Sequence, residues 1–193
     1  MTGDLKLVEE AKKPLSMNPK KFALWLFIVS VVMIFAALTS AYIVRQADGN
    51  WLLFDLPNLF WYTSGIIVAS SITMHWALVS ARKDNLESVK IAISLTSLLG
   101  FLFLAGQFYG WKELVENSVY FVGNPSGSFV YVITGLHGLH IISGVILLLI
   151  VLISTFRFRV HSRSLSLIEM CATYWHFLGG LWLYLFIFLL LNR

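Results

Sequence analysis

Five long apolar runs, separated by short polar joints, make up most of the chain: roughly residues 22–44, 58–80, 91–110, 129–154 and 167–191. Each is near or above the ~20 residues that a helix needs to cross hydrocarbon. Backbone polar groups in lipid must be satisfied inside a helix or a closed barrel, and none of these runs alternates as a barrel wall would. The pattern therefore predicts an all-α integral membrane protein with five transmembrane helices. Turn chemistry marks the joints: DGN at 48–50, DLPN at 55–58 and GNPSG at 123–127.

Charge gives this bundle an orientation. Eleven of the 14 Lys and Arg residues fall in the N-terminal tail (Lys6, Lys12, Lys13, Lys20, Lys21), the second joint (Arg82, Lys83, Lys90) and the fourth (Arg157, Arg159, Arg163). In a five-helix chain those regions share one side, and only Arg45, Lys112 and Arg193 lie opposite. By the positive-inside rule the N-terminus is cytoplasmic and the C-terminus outside. The net charge of +4 reflects this asymmetry and supplies no basic face suited to nucleic acid. Composition agrees, with 58% hydrophobic and 12% charged residues, against about 25% charged in an ordinary soluble domain.

The opening MTGDLKLVEEAKKPLSMNPKK has no apolar core, so no cleavable secretory signal is expected. Residues 1–21 read as a cytoplasmic tail and 22–193 as one membrane domain. The outer joints, about 45–57 and 111–128, are short and aromatic, with Trp51, Phe54, Trp111, Tyr120 and Phe121 suited to an interfacial belt. They leave too little polar chain for a separate catalytic or receptor domain.

Polar residues inside the spans are expensive and need a partner or a purpose. The candidates are His75, Gln107, His137, His140, Glu169, Cys171 and His176. At 1.5 Å per residue, His75 lies ~8 Å, Glu169 ~3 Å, His176 ~14 Å and His140 ~21 Å below the inner helix ends. Two axial ligands of one haem need nearly equal depth, and His140 and His176 differ by ~7 Å. No CxxCH attachment sequence is present, and the single Cys171 has no thiol partner. The spacing of His137 and His140 puts them on neighbouring parts of one face, but a closed metal site needs further ligands at that depth. Packing explains them better: Thr134, Gly135, Gly138, Ser143 and Gly144 let membrane helices approach, and a histidine can hydrogen-bond across such a contact. Glu169 has two readings, a polar pair with His75 or a carboxylate that reaches the interface. A transporter would show paired inverted halves and interrupted helices, and five helices do not divide evenly.

Three stretches resemble the third subunit of haem–copper respiratory oxidases, the cytochrome c and quinol oxidase subunit III family. TGLHGLHIISG at 134–144 is similar to its T-G-x-H-G-x-H segment. IEMCATYWHFLGGLWLYLF at 168–186 resembles its last helix, where a Glu precedes Y-W-H-F and a Trp follows. WLFIVSVVMIFAALTSAY at 25–42 resembles its L-F-x-x-S-E-V-M-F-F helix. Two departures stand out: Val31 where the family often has Glu, and Gly179 where it often has Asp. Longer members have seven helices, with lipid between two groups, and the five here match the larger group.

The resemblance implies a short, bacterial, non-redox supporting subunit in the inner (plasma) membrane. Its implied partners are the oxidase catalytic subunit I, other respiratory-complex subunits and membrane lipids. Haem and copper are expected in the catalytic subunit, none in this chain, with phospholipid as the ligand the family holds. The whole oxidase reduces oxygen to water and pumps protons; the third subunit aids assembly, protects against inactivation in turnover and supports proton uptake. His137, His140, Glu169, His176, Gly135, Gly138 and Trp175 are the matching positions, read as structural. Two alternatives stay open: a five-helix accessory protein of nitric oxide reductase, and a free-standing small transporter.

Overall fold

The computed structural model describes residues 18–156 and 165–192. It contains five helices: α1 Pro19–Ala47, α2 Leu59–Arg82, α3 Leu86–Glu116, α4 Pro125–Phe156 and α5 Ser166–Leu191. All five are long and apolar enough to cross a membrane, and no strand occurs among the described residues. The chain is thus an all-helical, multi-pass membrane protein. Lys6, Lys12, Lys13, Arg157, Arg159, Arg163 and Arg193, which carry half of the charge-orientation argument, lie outside the described residues.

The helices overrun the apolar windows, α3 most of all, with 31 residues against the expected 91–110. Hydropathy reports only the stretch that avoids water, whereas helical hydrogen bonding continues until a cap intervenes. Asn85 supplies that cap by accepting from the Ser88 N–H at 3.2 Å. At α1, Asn18 accepts from the Lys20 N–H at 3.0 Å, and Pro19 occupies the first turn, where its missing N–H costs nothing. Lys20 and Lys21 therefore belong to the helix and not to the polar tail. The turn at 48–50 takes left-handed backbone at Gly49 (φ 82°) and Asn50 (φ 52°), the residue types that tolerate it.

Helices α2, α3, α4 and α5 pack in a ring, each against the next, with α5 closing on α2. Helix α1 lies outside, along the α4–α5 edge. Its buried residues form one stripe, Ile28, Val31, Phe35, Thr39 and Tyr42, at helical spacing. Most of its remaining surface is exposed and apolar, as in Trp25, Leu26, Val29, Met33 and Val44.

Lipid is as apolar as leucine, so helix association here needs close packing and interhelical hydrogen bonds. The ring has both. Indole N–H groups tie α5 to α2: Trp175 donates to Ser70 Oγ and Trp182 to Ser64 Oγ, each at 3.0 Å. Gln107 donates to Thr63 (3.1 Å) between α3 and α2, and Trp111 donates to Thr134 (2.9 Å) between α3 and α4. Glycines admit neighbouring bulk. A Cβ on Gly100 would stand 2.8 Å from Trp175, one on Gly110 2.5 Å from Phe60, and one on Gly144 2.8 Å from Leu178.

Candidate functional site

The polar side chains singled out in the sequence fall into three places. The first is the centre of the ring. His137 is fully buried, stacked on Trp182 (centroids 5.3 Å, 29° between planes) with the edges of Phe35 and Phe103 beside it. Trp182 in turn meets Phe60 at 5.5 Å and Phe103 at 5.2 Å, so all five helices contribute a ring to one aromatic knot.

The second place is the α1–α4 contact. His140 sits against Phe35 (5.6 Å) and Phe27 (6.4 Å), one turn to either side of Val31 on α1. Its Nδ1–H donates to the Leu136 carbonyl at 2.7 Å, a bond within its own helix. Val31, 1% exposed, fills the position where a Glu was expected from the resemblance. The histidine thus faces an aliphatic side chain and turns its donor back on its own backbone. Neighbouring Ser143 shares a hydrogen bond with Tyr174 at 2.7 Å, tying α4 to α5.

The third place is the helix end expected to be cytoplasmic. Glu169 receives the Lys21 ammonium at 2.6 Å and lies 3.9 Å from an Arg82 guanidinium nitrogen, so α1, α2 and α5 meet at one carboxylate. Of the two readings of Glu169, the pair with His75 does not form. His75 is exposed on α2 and faces the His176 ring, with centroids 6.4 Å apart, while His176 Nδ1 hydrogen-bonds Ser71 Oγ. His75 meets α5 seven positions beyond Glu169, at His176, and long cations from α1 and α2 occupy the carboxylate instead.

The glycine expectation also changes. A Cβ on Gly138 would meet no facing helix within 4 Å, and one on Gly135 only the Trp111 ring at 3.8 Å. The close approach in this stretch belongs to Gly144, against Leu178 and Trp175. Trp175 is buried as an anchor between Gly100, Gly144 and Ser70. Gly179 faces α2, with Ile67 at 3.5 Å from its would-be Cβ.

Sequence reasoning missed Lys21, Trp182 and the α2 serines. Ser64, Ser70 and Ser71 stand at near-helical spacing, a signal open to reading. Nothing local marked Lys21, whose partner is 148 positions away. Among the described residues, no three His, Cys, Asp or Glu side chains converge as a metal site would require.

The architecture is that of a helical membrane subunit held together by internal polar ties. The family profile described as cytochrome c oxidase subunit III matches residues 53–192. A Nocardia farcinica protein named "Probable cytochrome c oxidase subunit 3" is 31% identical over 83% of this chain and 82% of its own length. The Synechocystis sp. cytochrome c oxidase subunit 3 is 32% identical over 87% of this chain and 73% of its own. Cytochrome bo(3) ubiquinol oxidase subunit 3 of Buchnera aphidicola is 29% identical over 91% and 95%. This chain belongs to the cytochrome c oxidase subunit III family.

Proposed function

We propose that the chain is a supporting subunit of a proton-pumping haem–copper oxidase in a bacterial inner membrane, placed beside the catalytic subunit and without a redox centre of its own. One observation carries this reading. The stretches with family character, 134–144 and 168–186, build contacts that hold α4 to α5 and α5 to α2. His137 stacks on Trp182, Ser143 bonds Tyr174, and Trp175 bonds Ser70. His137 and His140 pack among aromatic rings, and Glu169 is held by Lys21 and Arg82. Haem and copper belong, on this reading, to the partner subunit, where oxygen is reduced.

The N-terminus faces the cytoplasm in this proposal, which puts the Lys21–Glu169–Arg82 cluster at the inner surface. Phospholipid is the small ligand best suited to the chain. An open groove of about 900 Å³ between α1 and α4, lined by Ala37, Ala41, Val44 and Phe129, offers an apolar wall with Arg45 at its rim.

Purification tests the assignment. A tagged copy taken in mild detergent from its own membranes should bring down a larger membrane protein with a haem absorbance band. A chain that purifies alone, and moves solute when placed in liposomes, would overturn it.

A further inference from the structure

Three buried polar atoms in the middle of the ring have no hydrogen-bond partner in the protein: Gln107 Oε1 and both ring nitrogens of His137. They belong to one neighbourhood. The Trp111–Thr134 hydrogen bond (2.9 Å) and the approach of Val145 to Gly100 (3.2 Å from a would-be Cβ) fix the register of the antiparallel α3–α4 pair. That register sets Gln107 opposite Gly138, next to His137 in the chain. Phe103, one turn from Gln107, touches the His137 ring at 6.1 Å between centroids. Gly138 is buried, yet a Cβ there would meet no atom of a facing helix within 4 Å. Unsatisfied acceptor, unsatisfied imidazole and open space coincide at one level of the bundle.

Leaving a buried polar group unpaired is costly, and more so where no bulk water can reach it. A buried water is the usual remedy where a site is roomy and offers two or more polar partners. We propose that the ring encloses an internal hydration site, in which one water molecule sits in the space over Gly138 and bridges Gln107 to His137. The water donates to Gln107 Oε1. It either accepts from the protonated ring nitrogen of His137 or donates to the bare one, according to the tautomer. The Gln107 amide is already oriented for this role, because its Nε2 is committed to Thr63 at 3.1 Å and its oxygen must point elsewhere. The Trp182 stack fixes the imidazole plane. Gly138 is then a glycine that keeps room for solvent, in contrast to Gly144, which keeps room for a neighbouring helix.

The direct test is a density map of the purified oxidase complex at a resolution that shows ordered water. A peak within hydrogen-bond distance of both Gln107 Oε1 and a His137 ring nitrogen is expected. Gly138→Leu should abolish that peak. A map in which the Gln107 amide bonds His137 directly, or in which the space is empty, overturns the proposal. Thermal melting of the complex gives a second reading that does not rest on the map. Gln107→Leu and His137→Phe should each lower the midpoint, while the double variant should lose clearly less than the two losses added together. Strict additivity would contradict a shared site.

Discussion

Lys21 and Glu169 are 148 positions apart in the chain, yet Nζ and Oε2 lie 2.6 Å from one another. With Arg82 at 3.9 Å, this contact fastens the outlying α1 to α5 at one end. Such an arrangement serves support better than proton transfer, since the carboxylate is held by cations and is 29% exposed. Lys21 keeps 42% of its surface open, so solvent screens the pair and it contributes about 1 kcal/mol or less. Glu169→Gln and Lys21→Met should each shorten the lifetime of the complex in detergent, and the double variant should be no worse than either alone. The initial oxidase rate should stay near normal. A variant complex that assembles fully, survives normally and loses most of its initial rate would place Glu169 on a proton route instead.

Two glycines in one stretch should behave differently. Gly144→Ala puts a methyl 2.8 Å from the Leu178 tip and 3.2 Å from the Trp175 ring, so the leucine must shift and the rigid indole must give way by a few tenths of an ångström. Overpacking of this kind costs about 1–3 kcal/mol. Gly138→Ala meets no facing helix within 4 Å, so any cost comes through the space beside Gln107 and His137 and should vanish in a Gln107→Leu, His137→Phe background, where the Gly144→Ala cost persists. Yields of intact complex, compared side by side in that background, measure the difference; equal losses there would remove the distinction.

His140 offers a gain-of-contact test. It lies between Phe27 and Phe35, at the level of Val31. Val31→Glu should be tolerated when His140 is present, because the imidazole can pair with the new carboxylate. In a His140→Leu background the same Glu would be buried without a partner, at a cost of about 1–3 kcal/mol or more. If assembly of Val31→Glu is indifferent to residue 140, the two side chains do not meet.

Orientation is checked by reporters. One fused after Asp84, between α2 and α3, should be active in the cytoplasm, and one fused after Asn117, following α3, should be active outside. The reverse pattern would invert the bundle.

What could be read from the sequence depended on how local the cause was. The five spans were plain, because exclusion from water acts on consecutive residues. Span ends were less so: Pro19 and Asn85 set them through capping, which hydropathy does not weigh. His137 stood out because a polar group inside lipid demands an explanation, and Trp175 through its place in the stretch that resembles the family; in the structure the first stacks on Trp182 and the second bonds Ser70. Partners were the illegible part. Estimated depth matched His75 to Glu169, but partner choice also requires the register and rotation of each helix and the reach of each side chain, and these put Lys21 and Arg82 on the carboxylate and His75 beside His176. The tight glycine was Gly144 and not Gly138 for the same reason, since both are small and only the facing helix tells them apart.

The central claim is that the chain sustains an oxidase without carrying out its chemistry, and a deletion measures that directly. Complexes assembled without this subunit should be fewer, and each should begin turnover at nearly the wild-type rate per haem. Their activity should then decline faster with successive turnovers. A subunit-free complex with full haem content whose initial rate is already lost would contradict the account, because the missing helices would then have been part of the reaction path.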